Sequence, residues 1–285
     1  SGPGATNLVT GIATAQMDSV PLVVVTGQVP RPAIGTDAFQ ETDIFGITLP
    51  IVKHSWVIRD PSDIAKVVSE AFFIASSGRP GPVLIDIPKD VGQEFFNYER
   101  ILPGNVIPKG FKRNGEINDS DIKKTIKLIK ESKRPLLYVG GGAISSGAHK
   151  EVETLAKNYQ IPVTTTLMGK GAFDERDFLS VGMLGMHGTA YANFAVTECD
   201  LLIAIGARFD DRVTGKLDTF APTAKVIHID IDPAEVNKNR RVDVAIVSDV
   251  AKALSKINEN FSINKTSSNT KDWLDKIDTW KNKHP

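Results

Sequence analysis

The sequence predicts an α/β protein with two doubly wound parallel-sheet domains. Short runs of β-branched and aliphatic residues alternate along the chain with amphipathic stretches of ten or more residues. Such alternation is typical of strands joined by crossover helices, which build parallel sheets. A stretch rich in glycine and proline separates two such regions. We therefore predict a first domain over residues 1–97, a linker over 98–118 and a second domain over 119–262.

The first region contains two apolar runs that we predict as buried strands, over residues 22–27 and 83–87. Four consecutive aliphatic residues in the earlier run predict burial on both of its faces. Helices are predicted over residues 7–17 and 60–78, the latter starting with an N-capping aspartate and a proline and ending at a glycine. Residues 28–50 are predicted as a long functional loop.

The second region repeats the pattern with more strands. Each predicted strand is short and apolar, and helices of about ten residues separate most of them, which is typical of a doubly wound sheet. The predicted strands cover residues 136–139, 161–166, 201–205, 226–231 and 244–247, and the predicted helices cover 120–131, 148–159, 189–199 and 250–260.

Composition excludes several classes of protein. The 34 Lys and Arg residues balance the 34 Asp and Glu residues, and no basic cluster is present, so we expect no nucleic-acid partner. The longest apolar run, residues 201–207, is far shorter than the ~18 residues that span a bilayer, so we expect no membrane partner. One cysteine, Cys199, permits no intrachain disulfide and favours a reducing compartment. The five histidines lack metal-ligand spacing, and we predict no metal site.

The two ends of the sequence leave a question open. A loop rich in glycine, residues 1–7, has no strand before it, although such loops usually connect a strand to a helix. Near the other end, Trp273, Ile277 and Trp280 form an apolar stripe at helical spacing. Either this stripe packs on its own domain, or the sequence is an internal part of a longer polypeptide in which other residues cover it.

Ligands of doubly wound sheets bind beyond the carboxyl ends of the strands. At these ends the second region places Gly140–Gly142, two arginines (Arg208 and Arg212) and Asp230. Bare backbone can approach a pyrophosphate, arginines can pair with phosphates, and a carboxylate can accept hydrogen bonds from ribose or adenine. These residues predict a dinucleotide site. The alternative is that the glycines only turn the chain and the arginines form surface salt bridges.

Two features limit this interpretation. The GxGxxG fingerprint of nicotinamide dinucleotide sites is absent, so the dinucleotide is not assigned to that class. His187 lies in a glycine-rich loop, where it could stack on a ligand or cap a turn.

The first region offers a second candidate site. The loop at residues 35–41 carries an aromatic residue, an amide and two carboxylates beyond a predicted strand, where sites are usually built. Lys89 follows the other predicted strand, and a cation there could attract a carboxylate substrate. The alternative is a solvated loop and a surface lysine. No Ser/His/Asp or Cys/His set indicates nucleophilic catalysis.

Seven segments carry a more specific signal. They read SGPGATN (1–7), TGQVP (26–30), IGTDAFQE (34–41), SGRPGPVLIDIPKD (77–90), LMGKGAFDE (167–175), VGMLGMHG (181–188) and GARFDDRVTGKL (206–217). With them the chain resembles the large, catalytic subunits of acetolactate synthase (acetohydroxyacid synthase), a family of thiamine diphosphate enzymes. The last three segments are specific to this family, although Val181 replaces its leucine, and residues after about 262 carry no comparable match.

The resemblance implies a domain arrangement. Family members have three α/β domains, which bind the thiamine pyrimidine, FAD, and the thiamine diphosphate through Mg²⁺. This chain would be a partial thiamine-pyrimidine-binding domain and a complete Rossmann-like FAD-binding middle domain, with residues 263–285 as a linker toward a C-terminal domain. The family's activating glutamate would precede Ser1, and its Gly-Asp-Gly…Asn diphosphate motif is absent here. The resemblance thus implies a partial chain that is inactive alone.

The resemblance also implies an activity and a set of site residues. The intact enzyme is a transferase that condenses pyruvate-derived hydroxyethyl-thiamine with pyruvate or 2-ketobutyrate in the biosynthesis of valine, leucine and isoleucine. Phe39, Gln40 and Lys89 would line the substrate route, with Pro30 at its mouth. The flavin would be structural, with no net redox change. It would contact Arg79, Gly140, Gly141, Thr166, Leu167, Met168, Leu184, Gly185, Met186, His187, Gly206, Ala207, Arg208, Asp210, Arg212, Val213, Asp230, Ile231, Asp249 and Val250.

Partners and compartment follow in the same way. The family implies small 2-keto acid substrates, a homodimer or homotetramer, room for a regulatory small subunit, and the bacterial cytoplasm or the plastid stroma. Two alternatives stay open at this point. One is another thiamine diphosphate carboligase or oxidase, and the other is a non-catalytic FAD-binding module.

Overall fold

Parallel strands form two separate sheets in the computed structural model of this chain, one in each of two compact units. The units cover residues 1–113 and 114–285. The predicted fold class, two parallel-sheet α/β domains, is confirmed. The structure describes residues 1–98, 107–108, 111, 116–262 and 270–284, with only the backbone of 261 and 262.

The first unit contains a three-stranded sheet with helices on both faces. Alternate residues of its central strand divide between two apolar clusters: Val83 and Ile85 pack with one long helix, and Leu84 packs with the shorter helices. The strands are β1 (Leu22–Gln28), β2 (His54–Val57) and β3 (Pro82–Pro88), in the order β1-β3-β2. The helices are α1 (Pro3–Thr6), α2 (Val9–Met17), α3 (Ile44–Thr48) and α4 (Ile64–Ser76), and α4 is the long one.

Most predicted elements of this unit are confirmed. The N-cap prediction at Asp60 is correct, because its carboxylate accepts a hydrogen bond from the Ser62 amide at 2.8 Å. Three expectations were wrong in detail. The predicted helix at 7–17 is α2 and starts at Val9, but the predicted glycine-rich loop at 1–7 contains α1, the predicted loop at 28–50 contains α3, and β2 was not predicted. Burial of both faces of β1 was also wrong, because β1 is an edge strand and Val25 is 59% exposed.

The second unit contains six parallel strands. They are β4 (Pro135–Val139), β5 (Val163–Thr165), β6 (Ser180–Met183), β7 (Leu201–Ile205), β8 (Lys225–Asp230) and β9 (Val244–Val247). Their order is β6-β5-β4-β7-β8-β9. In chain order this is 3-2-1-4-5-6, the arrangement of dinucleotide-binding Rossmann folds. The helices are α5 (Asp119–Glu131), α6 (Gly141–Ser145), α7 (His149–Tyr159), α8 (Ala190–Glu198), α9 (Asp211–Thr214), α10 (Val250–Ser262) and α11 (Lys271–Lys283).

The core of this unit lies on both faces of the sheet. Leu137 and Val139 of β4 pack in a cluster with residues of α5, α7 and α10. Leu136 and Tyr138, which alternate with them, pack in a second cluster with residues of α8 and α11. Because side chains alternate along a strand, the continuous apolar run of β4 is what a sheet covered by helices on both faces requires.

The apolar stripe near the end of the sequence packs on its own unit. Trp273 and Ile277 of α11 are 2% and 3% exposed, and the Trp273 indole donates a hydrogen bond to the Pro135 carbonyl at 3.0 Å. The stripe is therefore covered by its own unit, as the first alternative predicts. This packing corrects the expectation of a linker over 263–285, because residues 271–283 are a packed helix and the only described residues of that range outside the helix are 270 and 284.

Three further elements of the second unit were not predicted. They are β6, α6 and α9, and the first lies in the glycine-rich stretch 169–188. The division between the units falls inside the predicted linker at 98–118, most of which lies outside the described residues. Within the described part of the chain, no helix is both long and apolar enough to cross a bilayer.

Candidate cofactor site and substrate loops

Loops at the carboxyl edge of the second sheet are joined to their neighbours by backbone hydrogen bonds. The Gly140 amide donates to the Ile205 carbonyl at 2.9 Å, and the Gly206 amide donates to the Ile229 carbonyl at 2.8 Å. These bonds extend the strand pairing into the loops. In the same way, the Thr166 amide donates to the Val139 carbonyl and the Ser248 amide donates to the Asp230 carbonyl. The edge is therefore one continuous surface that carries the loops after β4, β5, β7, β8 and β9.

Three glycines let the loops after β4 and β7 approach closely. A Cβ on Gly140 would lie 2.3 Å from the Gly206 carbonyl oxygen and 2.6 Å from the Ala207 Cα. Gly206 has φ +54°, and a Cβ there would lie 2.6 Å from the Gly142 Cα. The missing side chains thus make room for the neighbouring loop. This supports the alternative in which these glycines serve the packing of the chain.

Side chains of the loop after β7 alternate between inside and outside. Ala207 and Phe209 are each 3% exposed. The Phe209 ring packs against the rings of Tyr138 and His228, with centroids 5.8 and 5.3 Å apart. The side chains between and after them, Arg208 and Asp210, are 30% and 27% exposed. The loop continues the alternation of a strand, so it directs its charged side chains outward.

The two outward side chains of this loop form an ion pair. Arg208 Nη2 lies 2.9 Å from Asp210 Oδ2. The Asp210 carboxylate also accepts a hydrogen bond from the Arg212 amide at 3.0 Å, and so caps α9. Arg212 is exposed. Arg208 thus forms the ion pair that the salt-bridge alternative predicts, and its side chain keeps 30% of its surface exposed beside this carboxylate.

Asp230 lies at the end of β8, on the same edge. Its side chain is 12% exposed, and its Oδ1 accepts a hydrogen bond from the Asp232 amide at 2.9 Å. The His228 ring, fully buried, has its Nε2 3.6 Å from Asp230 Oδ2 and 3.0 Å from the Ala207 carbonyl oxygen. The Asp230 carboxylate thus has neighbours from β8 itself and from the loop that follows it, and it has a small exposed part.

The loop after β9 starts α10. Asp249 accepts hydrogen bonds from the Lys252 amide at 3.1 Å and the Ser146 hydroxyl at 3.4 Å. The Ser146 hydroxyl in turn accepts one from the Ala251 amide at 2.7 Å. Val250 is 3% exposed. These contacts attach the start of α10 to the end of α6, beside the loop after β4.

Large apolar side chains are exposed at this edge. Leu167, Met168 and Met186 are 71%, 50% and 66% exposed. Met168 lies beside Gly141, because a Cβ on that glycine would be 3.0 Å from the Met168 Cβ. His187, next to Met186, is also exposed. Exposed apolar side chains beside a few polar groups are typical of a ligand site.

The loop after β6 is held against α9. The Met186 amide donates to the Arg212 carbonyl at 3.0 Å. Gly185 has φ +90°, and a Cβ there would lie 2.7 Å from the same carbonyl oxygen and 2.9 Å from the Val213 Cα. Leu184 is 2% exposed. The predicted flavin contacts on this loop and on α9 are therefore neighbours.

All but one of the predicted flavin contacts lie at this edge: in its loops, at the end of β8, in α9, or at the starts of α6 and α10. The exception is Arg79, which belongs to the first unit. Its Nε donates a hydrogen bond to the Ser19 hydroxyl at 2.9 Å.

The predicted substrate residues lie in loops of the first unit. Phe39 is 90% exposed, and Gln40 has φ +62° and is also exposed. A Cβ on Gly2 would lie 2.5 Å from the Gln40 carbonyl oxygen, so this glycine permits contact between the two loops. Glu41 accepts hydrogen bonds from the amides of Gly35 and Ala38, which hold the pKa of its carboxyl below the usual value.

Lys89 follows β3 and is exposed. Its amide donates to the Gln28 carbonyl at 3.0 Å, which places it beside the end of β1. In the loop after β1, Arg31 forms ion pairs with Asp90, at 2.7 Å, and with Glu94. The carboxyl edge of the first sheet therefore brings Lys89 near the loop that starts at Pro30.

A buried carboxylate of the first unit was missed at the level of sequence. Asp86, in the centre of β3, is 1% exposed and accepts hydrogen bonds from the Thr26 hydroxyl at 2.7 Å and from Gln28 Nε2 at 3.0 Å. Gln28 Nε2 also donates to the Thr42 carbonyl at 2.7 Å. Burial raises the pKa of the Asp86 carboxyl. The signal was present, since an acidic residue interrupts an otherwise apolar strand.

Models of protein families match both units. Residues 1–47 match "Thiamine pyrophosphate enzyme, N-terminal TPP binding domain", and residues 122–257 match "Thiamine pyrophosphate enzyme, central domain". The acetolactate synthase large subunit of Parasynechococcus marenigrum is 69% identical to this chain in an alignment that covers the whole of this chain. The chain belongs to the acetolactate synthase family of thiamine pyrophosphate enzymes.

More distant members of the acetolactate synthase family also align with the whole chain. The large subunit of Cyanidium caldarium is 61% identical, and the chloroplastic acetolactate synthase 1 of Oryza sativa subsp. japonica is 51% identical. The chain covers 46%, 50% and 44% of these three relatives, so it spans about half of their length.

Proposed function

We propose that this chain forms part of an acetolactate synthase, which joins two 2-keto acids with loss of carbon dioxide in the biosynthesis of branched-chain amino acids. The first 2-keto acid is pyruvate, and the second is pyruvate or 2-ketobutyrate. Relatives of this name at 51–69% identity along the whole chain support the proposal. When bound, thiamine diphosphate would supply the carbanion chemistry that decarboxylation of the first 2-keto acid requires, and Mg²⁺ would bind its diphosphate.

The second unit is the FAD-binding part in this proposal. The observation that carries it is the carboxyl edge of the Rossmann-ordered sheet. There the exposed apolar side chains of Leu167, Met168 and Met186 suit a flavin ring, and the outward guanidinium of Arg208 suits a diphosphate. The exposed part of the Asp230 carboxylate can accept a hydrogen bond from a ribose hydroxyl. The flavin supports the structure and takes no part in net redox chemistry.

The first unit carries the substrate route in this proposal. Phe39 and Gln40 present exposed side chains on one loop, and Lys89 presents an exposed cation at the end of β3. An ammonium group attracts the carboxylate of a 2-keto acid and orients it. The exposed aromatic ring of Phe39 can exclude water from the keto group.

We extend the proposal to assembly and location. The intact protein acts as a homodimer or homotetramer, associates with a regulatory small subunit, and works in the bacterial cytoplasm or the plastid stroma. Light scattering of the purified protein measures the oligomeric state, and a monomer that is fully active would contradict this part of the proposal.

The main experiment replaces Arg208 by alanine in the full-length protein. We expect Arg208→Ala to weaken FAD binding about tenfold or more, because a charge-assisted hydrogen bond to a phosphate contributes roughly 1.5–3 kcal/mol. Flavin retained after gel filtration and the fluorescence of released FAD measure the effect. Arg176→Ala is the matched control, because Arg176 is an exposed arginine of the same unit that pairs with Asp174. Unchanged flavin content in Arg208→Ala would refute the assigned role.

A further inference from the structure

Three successive backbone carbonyls in the loop after β7 each accept a hydrogen bond from a side chain. The three donors come from separate parts of the second unit: β4, β8 and the segment that follows β8. We call them the carbonyl clamp. Tyr138 Oη donates to the Arg208 carbonyl at 2.9 Å, His228 Nε2 lies 3.0 Å from the Ala207 carbonyl oxygen, and Asn239 Nδ2 donates to the Phe209 carbonyl at 2.7 Å.

The hydrogen bonds of the clamp do more than give its three donor side chains a partner. Tyr138 and His228 are fully buried, and a buried hydroxyl requires a partner. His228, however, has a second nitrogen, Nδ1, without a hydrogen-bond partner among the described residues. The ring therefore uses Nε2 for the Ala207 carbonyl and leaves Nδ1 without a partner. A buried nitrogen without a partner costs free energy.

The clamp fixes the backbone on both sides of one outward side chain. The Arg208 Cα lies between two peptide groups, one containing the Ala207 carbonyl and the other containing the Arg208 carbonyl. The clamp binds both of these carbonyls. The Phe209 ring, 3% exposed among aromatic rings, anchors the same segment from inside. With both planes fixed, the direction in which the Arg208 side chain leaves the backbone is fixed as well.

We propose that the carbonyl clamp is a positioning device that orients the Arg208 guanidinium for the diphosphate of the bound dinucleotide. The inference rests on the proposed FAD site and names residues that touch no ligand themselves. A preorganised donor loses little conformational freedom on binding, so the clamp raises affinity for the diphosphate without contacting it. Tyr138, His228 and Asn239 then act through Arg208.

The test is a double-mutant cycle on FAD binding by the full-length protein. Tyr138→Phe removes only the hydroxyl, and we expect it to raise the FAD dissociation constant about fivefold to tenfold, as for one lost hydrogen bond. In the Arg208→Ala background the same substitution should change the dissociation constant less than about twofold, because the group that it positions is gone. Equal effects in both backgrounds would overturn the inference and leave Tyr138 a structural residue.

A second variant and a control make the result independent of folding. Asn239 is exposed, so Asn239→Ala removes its hydrogen bond without opening the core, and we expect the same coupling to Arg208. Tyr159→Phe changes a tyrosine of the same unit that is 7% exposed and lies at the end of α7, and should leave FAD affinity unchanged. A thermal melt of the ligand-free variants separates a loss of stability from a loss of affinity.

The outcomes distinguish this inference from the function on which it rests. If the wild-type protein binds no FAD, the proposed function fails and the inference fails with it. If the wild type binds FAD and Arg208→Ala weakens it, while Tyr138→Phe and Asn239→Ala do not, only the inference is overturned. If all three weaken it and the cycle shows coupling, the clamp is established.

Discussion

Neighbouring loops at the carboxyl edge of the second sheet pair backbone to backbone, with the carbonyl clamp as an additional support. Apart from the bond between the Lys89 amide and the Gln28 carbonyl, the loops of the first sheet are joined largely through side chains. In the second unit, amides of Gly140 and Gly206 pair with carbonyls of the neighbouring strands. In the first unit, the Gln28 side chain connects Asp86 to the Thr42 carbonyl, and the Glu41 carboxylate holds the turn before it. Both edges follow parallel strands, so the difference lies in how the loops are held.

The difference predicts different sensitivities. A loop joined through its backbone depends on close approach, so it tolerates changes of outward side chains but not an added Cβ at a contact. A loop joined through carboxylates and amides depends on the identity and ionisation of those groups. Substitutions at the edge of the second sheet should therefore act mainly by adding atoms at close contacts. Substitutions at the edge of the first sheet should act mainly by changing charge or hydrogen bonding.

The largest effect is expected where shape decides. Gly140→Ala would place a Cβ 2.3 Å from a backbone oxygen, so the loops after β4 and β7 must separate. We expect it to lower the free energy of unfolding by roughly 1–3 kcal/mol and to release FAD. Gly11→Ala is the control, because a Cβ there meets nothing within 4 Å. Urea unfolding measures the stability of both variants. Equal stability would contradict the close contact between Gly140 and the Gly206 carbonyl.

A smaller effect, on turnover only, is expected at the first edge. Lys89→Ala removes the exposed cation at the end of β3, and we expect turnover to fall about tenfold, or ~1.4 kcal/mol, with FAD still bound. A steady-state assay of acetolactate formation measures it. Lys89→Arg should recover part of the activity, and Lys66→Ala, an exposed lysine of α4, should be silent. Wild-type activity of Lys89→Ala would remove this residue from the substrate route.

The smallest effect is a dependence on pH in the first unit. Burial raises the pKa of Asp86, so the folded chain binds its proton more tightly than the unfolded chain. The contribution of this group to stability is then complete below the ordinary carboxyl pKa and is lost as pH rises through the raised value. Asp86→Asn has no such group, so its stability relative to the wild type should rise with pH above about 4.

Urea unfolding at several pH values between about 4 and 7 measures that trend. The trend is diagnostic because a constant difference, such as a poorer hydrogen bond from Gln28 Nε2 to the substituted side chain, does not change with pH. Asp63→Asn, which removes an exposed carboxylate at the start of α4, is the control. A difference between wild type and Asp86→Asn that stays flat with pH would refute the assigned cost of burial.

Much of the fold could be predicted from the sequence because buried parallel strands are continuous apolar runs. The runs at β4 and β7 are buried along their whole length and were placed within one residue. Two strands were missed for physical reasons. β2 reads His-Ser-Trp-Val and has no apolar run, and β6 contains Gly182 with φ +72°, so its sequence resembles a turn.

The candidate sites were less predictable than the strands. Residues such as Arg208 and Lys89 could be chosen because they follow predicted strands, and the topology brings the carboxyl ends together. The ion pair between Arg208 and Asp210 and the role of Gly140 depend on distances between loops, which the sequence does not contain. Asp86 was missed because its partners, Thr26 and Gln28, lie on a strand about sixty residues away.

The inside–outside alternation from Ala207 to Asp210 has a consequence for how this segment can vary. Deleting one residue between Gly206 and Asp210 would exchange the two sets, turning the guanidinium toward the Tyr138 and His228 rings and the Phe209 ring toward water. Substitutions at the outward positions leave the buried set intact. Homologues with a different ligand preference should therefore differ in the chemistry of these outward side chains, while the number of residues in the segment stays constant.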